Sequence, residues 1–60
     1  MYYVSFNGFV VNETNCKPGD VYFTSLEDYE NYITDPIRVV SVSVRYNRTG
    51  YYYVVDQVLD

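Results

Sequence analysis

Sixty residues make one domain, 1–60, near the lower limit at which a chain folds without disulfides, metals or a second copy to enlarge its core. Cys16 is the only cysteine and histidine is absent, which excludes an internal disulfide and, in effect, a structural zinc site. Eight carboxylates against Lys17, Arg38, Arg45 and Arg48 leave a net charge of −4. That balance is wrong for a protein that gains nucleic-acid affinity by neutralising phosphates.

Nine tyrosines must supply much of the buried area, each with a hydroxyl that needs water or a partner. Homodimerisation is one way to add core. A lone cysteine fits a reducing compartment. The chain shows no charged-then-apolar leader and no run of about 18 apolar residues, so neither a signal peptide nor a membrane span is expected.

Tyr2 to Phe6 alternates, with Tyr2, Val4 and Phe6 on one face and Tyr3 and Ser5 on the other. Asn7-Gly8 follows, before Phe9-Val10-Val11. This is either a hairpin pairing Phe6 with Phe9 and Val4 with Val11, or one strand bent at Gly8. The bent strand is preferred here, because arms so short add little core. Asn12 to Asp20 reads as loop, with Pro18-Gly19 as the centre of a turn. Cys16 lies in it beside Lys17, which would lower a thiol pKa, but no histidine is present to act as its base.

Val21-Tyr22-Phe23 is a short strand that feeds a helix from about Leu26 to Thr34. Thr24 with Glu27, or Ser25 with Asp28, has capping-box spacing. Leu26, Tyr29, Tyr32 and Ile33 share one stripe, while Glu27, Asp28, Glu30, Asn31 and Thr34 fill the opposite arc. Asp35-Pro36 ends the helix.

From Val39 to Leu59 the chain reads as a hairpin of two β-type runs about Asn47-Arg48-Thr49-Gly50. Gly50 supplies the left-handed position of the turn. The register sets Tyr46 opposite Tyr51, Val44 opposite Tyr53 and Val42 opposite Val55. Val40, Val42, Val44, Tyr46, Tyr51, Tyr53, Val55 and Leu59 then share one face, which reads as core under the helix. The other face carries Val39, Ser41, Ser43 and Arg45 against Val58, Asp56, Val54 and Tyr52. The expected fold is thus α+β, a small antiparallel β-sheet with one helix packed on one face, in the order β-β-α-β-β.

One helix covers one face, so the second face is expected to be open. Its apolar residues Tyr52, Val54 and Val58, fringed by Arg45 and Asp56, read as a protein interface for either a second copy or a foreign partner. Glu27 and Glu30 on the helix arc are a second candidate surface, complementary to a basic groove. As a metal or acid/base site the acids Glu27, Asp28, Glu30 and Asp35 are unconvincing, because helix geometry puts them on a solvated arc. Tyr51-Tyr52-Tyr53 with Arg45 could stack bases, but two of those rings are assigned to core and nucleic acid is not the expected ligand. No phosphate loop, nucleophile set or cofactor motif is present, and neither catalysis nor a cofactor is expected. Asn12-Glu13-Thr14 and Asn47-Arg48-Thr49 match the glycosylation pattern by chance.

A tyrosine- and asparagine-rich acidic chain of this size resembles the small early proteins of tailed bacteriophages. The run Phe6-Asn7-Gly8-Phe9-Val10-Val11-Asn12-Glu13-Thr14, followed by short strand, helix and hairpin, is similar to the Dmd antitoxins of T-even phages. Members of that family bind and block a host ribonuclease toxin. The triple tyrosine, the Lys17-Pro18-Gly19 turn and the Val/Ser alternation are not family features, and no functional residue is carried over. The resemblance implies a phage protein in the host bacterial cytoplasm that binds and inhibits a host or defence enzyme. The other classes kept are a DNA mimic, for which eight acids offset by arginines are thin, and a small nucleic-acid-binding module.

Overall fold

The structure, a computed structural model, describes residues 1–58, with side chains for all of these except residues 38–40. Its elements are β1 (Tyr2–Ser5), β2 (Val10–Asn12), β3 (Val21–Phe23), α1 (Leu26–Thr34), β4 (Val39–Asn47) and β5 (Gly50–Val58), with 3-10 turns at Glu13–Asn15 and Pro36–Arg38. The five strands form one sheet in the order β2-β1-β3-β5-β4. This is an α+β arrangement of a small sheet and one helix.

Asn7-Gly8 closes a hairpin rather than bending one strand, which corrects the preferred reading. Val4 lies opposite Val10 and Tyr3 opposite Val11. The connection is one residue longer than a two-residue turn, so the expected Phe6–Phe9 and Val4–Val11 pairs do not form. Ser5 explains the choice: its N–H donates to the Phe9 carbonyl at 2.8 Å, and its carbonyl accepts from Gly8 at 2.9 Å. Its hydroxyl accepts from the N–H groups of Asn7 and Phe9. Gly8 takes φ 85°, where a side chain would strain. Freed from pairing, the Phe6 ring packs edge-on against Phe23 and Tyr32, with centroids 5.7 and 5.4 Å away.

The sheet is mixed, not antiparallel throughout. β3 pairs with β5 in parallel, Val21 with Tyr53, Tyr22 with Val54 and Phe23 with Val55. Parallel neighbours need a connection that carries the chain back along the sheet. Here α1 and β4 together make it, so the last strand in sequence inserts between β3 and β4.

β4 and β5 take the expected register, with Val42 opposite Val55, Val44 opposite Tyr53 and Tyr46 opposite Tyr51. The Asn47 side chain organises the turn, its Oδ1 accepting from the N–H groups of Thr49 and Gly50. Gly50 has the expected positive φ, at 144°. Between Val39 and Val42 the ladder slips, and Ser41 faces Gln57 in place of Asp56. That irregularity lets Val55 and Val58, three apart, enter the same core cluster. Leu59 and the side chains of Val39 and Val40 lie outside the described residues.

The helix has the expected span, and of its two capping registers the second is used, Ser25 Oγ accepting from Asp28 N at 3.1 Å. Thr24 adds a hydroxyl bond to the Asp28 carboxylate at 2.7 Å. Tyr29 and Tyr32 pack on Phe23 at 5.6 and 5.2 Å, as the stripe requires. Leu26 and Ile33 stay about half exposed, so the helix seals less of the sheet than its pattern implies.

Both faces of the sheet carry core. Val4, Phe23, Val55 and Val58 are buried on the helix side, with Val21, Tyr29 and Tyr32 against them. Tyr3, Cys16, Tyr22, Tyr52 and Val54 are buried on the other side. No helix lies there. The cover is the segment between β2 and β3, which brings Cys16 onto the sheet.

Candidate partner-binding surface

The face expected to be open is closed. Tyr52 and Val54 are 1% and 0% exposed, and Val58, expected on this face, is buried on the helix side instead. The expectation failed because a loop can cover a sheet as well as a helix can, once its polar backbone finds partners. Asn12 Oδ1 accepts from Thr14 N and caps the 3-10 turn. Asn47 Nδ2, from the β4–β5 turn, donates to the carbonyls of Glu13 and Cys16 at 2.8 and 2.9 Å. Thr49 Oγ1 donates to the same Cys16 carbonyl at 3.2 Å. Further along, Gly19 N donates to the Tyr51 carbonyl and Tyr53 N to the Asp20 carbonyl, both at 2.9 Å. Pro18 comes so near Gly50 that a Cβ there would meet its ring at 3.1 Å.

Under this strap three tyrosine rings interlock. Tyr52 meets Tyr3 and Tyr22 edge to face, with centroids 5.8 and 5.7 Å apart. The Tyr22 hydroxyl accepts from Lys17 N at 2.8 Å, which ties the strap down from inside. Burial, with the Tyr3 hydroxyl beside it, pushes the Tyr52 phenol up to about 12. Cys16 is 1% exposed. Burial, then the carboxylates of Glu13 and Asp20, raise its thiol above the ordinary value, the reverse of what a nucleophile needs. Cys16 acts as a small apolar plug.

Arg45 and Asp56 lie at the rim of this closed side, paired at 3.6 Å. The Ser43 hydroxyl also donates to the Asp56 carboxylate. These two expected interface residues are thus engaged with each other and with their own sheet. Glu27 and Glu30 lie on the exposed arc of α1, where the pattern placed them. Among the described residues no three of His, Cys, Asp and Glu converge as metal ligands would. Asn47 spends its side-chain nitrogen on two carbonyls inside the fold, so the Asn47-Arg48-Thr49 pattern is a structural turn.

The open surface is part of the face assigned to core, on which Val55 is buried as expected. On the helix side, α1 covers the middle of the sheet with Val55 and Val58 of β5, and leaves bare β4 and the turn end of the hairpin. Val42, Val44, Tyr46 and Tyr51 are 53%, 48%, 77% and 46% exposed. Where this strip meets the helix, a groove of about 370 Å³ opens among Phe6, Tyr32, Pro36, Val42, Tyr53 and Val55. The walls are largely apolar. Strip, groove and the acidic arc of Glu27 and Glu30 all look out from one side of the molecule. The strip was missed because its residues were placed under the helix. The one available signal was length: nine helical residues cannot roof five strands.

Compared with family models, curated proteins and solved structures, the chain matches none.

Proposed function

We propose that this chain is a non-catalytic protein that binds and inhibits another protein, of the kind a phage directs at a host or defence enzyme. The observation that supports it is the helix side. A domain that seals Tyr52 and Val54 on its other face leaves four large apolar side chains of its outer hairpin in water, beside an apolar groove. Contiguous exposure of that kind is characteristic of interaction surfaces. Glu27 and Glu30 on the same side suit a partner whose binding groove is basic. The phage origin and the inhibitory role rest on the similarity of residues 6–14 to the Dmd antitoxins.

The test has two stages. Tagged protein is used to capture partners from bacterial lysate, and each captured enzyme is then assayed with and without the purified chain. The expected result is stoichiometric loss of that enzyme's activity, relieved by Glu27→Lys with Glu30→Lys. An enzyme that is captured yet keeps full activity at saturating chain would refute inhibition.

A further inference from the structure

We propose that the apolar strip of the β4–β5 hairpin is closed by a second copy of this chain, the two hairpins stacking face to face about a twofold axis. The inference rests on reading the helix side as an interface, and adds which part of it meets what. Two copies would join through the strip, leaving the acidic arcs of both helices to the target enzyme.

Area comes first. Val42, Val44, Tyr46 and Tyr51, with the partly open Phe6 and Tyr53, present roughly 500–600 Å² of side chain, given that a large aromatic buries about 150–250 Å². One copy alone therefore sits at the upper end of what a monomer leaves bare, about 300–600 Å². Two copies together reach roughly 1,200 Å² at most, the lower bound for a stable specific interface. A foreign partner of any size could supply the same area, so area alone does not choose.

Self-complementarity does. A twofold interface needs one patch that carries both a projection and its socket. Tyr46 is the most exposed side chain of the strip at 77%, and the groove walled by Tyr32, Val42 and Val55 lies on the same face. The layer above β4 is also thinly filled: α1 packs chiefly against β3 and β5, Val42, Val44 and Tyr46 stay about half exposed or more, and a second hairpin stacks at about 10 Å. Charge agrees. The strip carries no ionisable carboxylate or cation, and Arg45 and Asp56 lie on the opposite face. Within the strip itself, two copies therefore meet without opposing like charges.

Sedimentation equilibrium on the purified chain, across micromolar to millimolar concentration, should show a reversible monomer–dimer equilibrium. Val44→Glu and Tyr46→Ser, both at exposed positions, should keep the native circular dichroism and run as monomers at every concentration. Glu27→Lys should still dimerise while losing inhibition of the captured enzyme. A wild-type chain that stays monomeric throughout overturns the inference, as does a folded Val44→Glu protein that dimerises like wild type. A monomeric wild type whose Val44→Glu variant loses the captured enzyme assigns the strip to the target, and the inhibitor reading then survives without the dimer. A dimer that inhibits no captured enzyme has the opposite meaning: the interface stands and the inhibitor reading falls.

Discussion

The two faces of this sheet are built from similar side chains and end in opposite states. The helix side has a regular amphipathic element above it, yet its outer hairpin is bare. The other side has only an irregular strap, yet Tyr52 and Val54 are sealed beneath it. What separates them is where the cover is fastened. The strap is bonded to the hairpin through Asn47, Thr49 and Tyr51, so it reaches as far as β5. The helix is held by Tyr29 and Tyr32 against Phe23, near the middle of the sheet. Secondary structure does not decide coverage; anchorage does.

One residue on each face tests this most sharply. Val54→Glu should unfold the domain, because a carboxylate placed where exposure is 0% costs several kcal/mol and a chain this small has little to spare. Val44→Glu, two strand positions from the turn on the open side, should cost only a few tenths of a kcal/mol in the monomer. Circular dichroism on the two variants checks both. A folded Val54→Glu protein would mean that the strap is not a seal.

Asn47→Ala should have the next largest effect. It removes two bonds to strap carbonyls and the two to Thr49 N and Gly50 N that order the turn, at a cost of about 2–6 kcal/mol if each bond is worth roughly 0.5–1.5. Urea melts measure it. Asn47→Asp should do nearly as badly, since a carboxylate cannot donate to the carbonyls of Glu13 and Cys16.

High pH should also open the strapped face first. Tyr52 is pushed up to about 12 in the folded state, and Tyr22 is raised as well. An unfolded tyrosine loses its proton near 10. The folded chain therefore holds protons that the unfolded chain has released. The stability this represents is intact below about pH 10 and falls away as pH rises toward 12. Thermal melts through that range, compared with Tyr52→Phe, give the readout: wild type should lose stability over the window and the variant should lose less.

A small effect is expected of Val42→Ala. Half exposed, Val42 should cost under about 1 kcal/mol on truncation. Ser43→Ala, which removes the hydroxyl bond to Asp56, should cost a similar amount. A loss at Val42 well above that at Ser43 would show that the strip is already covered in solution.

The sequence made the local geometry legible. Asn47 and Gly50 fixed the hairpin register from the turn back to Val42 and Val55, and Ser25, Asp28 and Pro36 bounded the helix. Which face is sealed was not legible, for a specific reason. β5 reads Tyr51-Tyr52-Tyr53-Val54-Val55, apolar at every position, so alternation gives no preference for either side. The Val/Ser alternation of β4 put its valines on the helix side correctly, but they face a layer that α1 only partly fills. Two further features depend on contacts distant in sequence: the parallel β3–β5 pairing, and the strap held by Asn47 at residues 13 and 16. Of the expected site residues, Glu27 and Glu30 are exposed as read, while Tyr52, Val54 and Val58 belong to the core.

The central place of β5 sets the order in which this protein can assemble. β1, β2 and β3 form a contiguous stretch of sheet, but its inner edge is completed only by β5, made after α1 and β4. Until then the edge of β3 has no partner, and Phe23 and Tyr22 lack a neighbour on that flank. Non-local pairing of this kind closes a long loop before it gains contacts, which slows folding relative to helical chains of equal length. A nascent chain that stops short of Tyr53 should thus show hairpins without a finished sheet, and the protein should gain protection from proteolysis in a single late step.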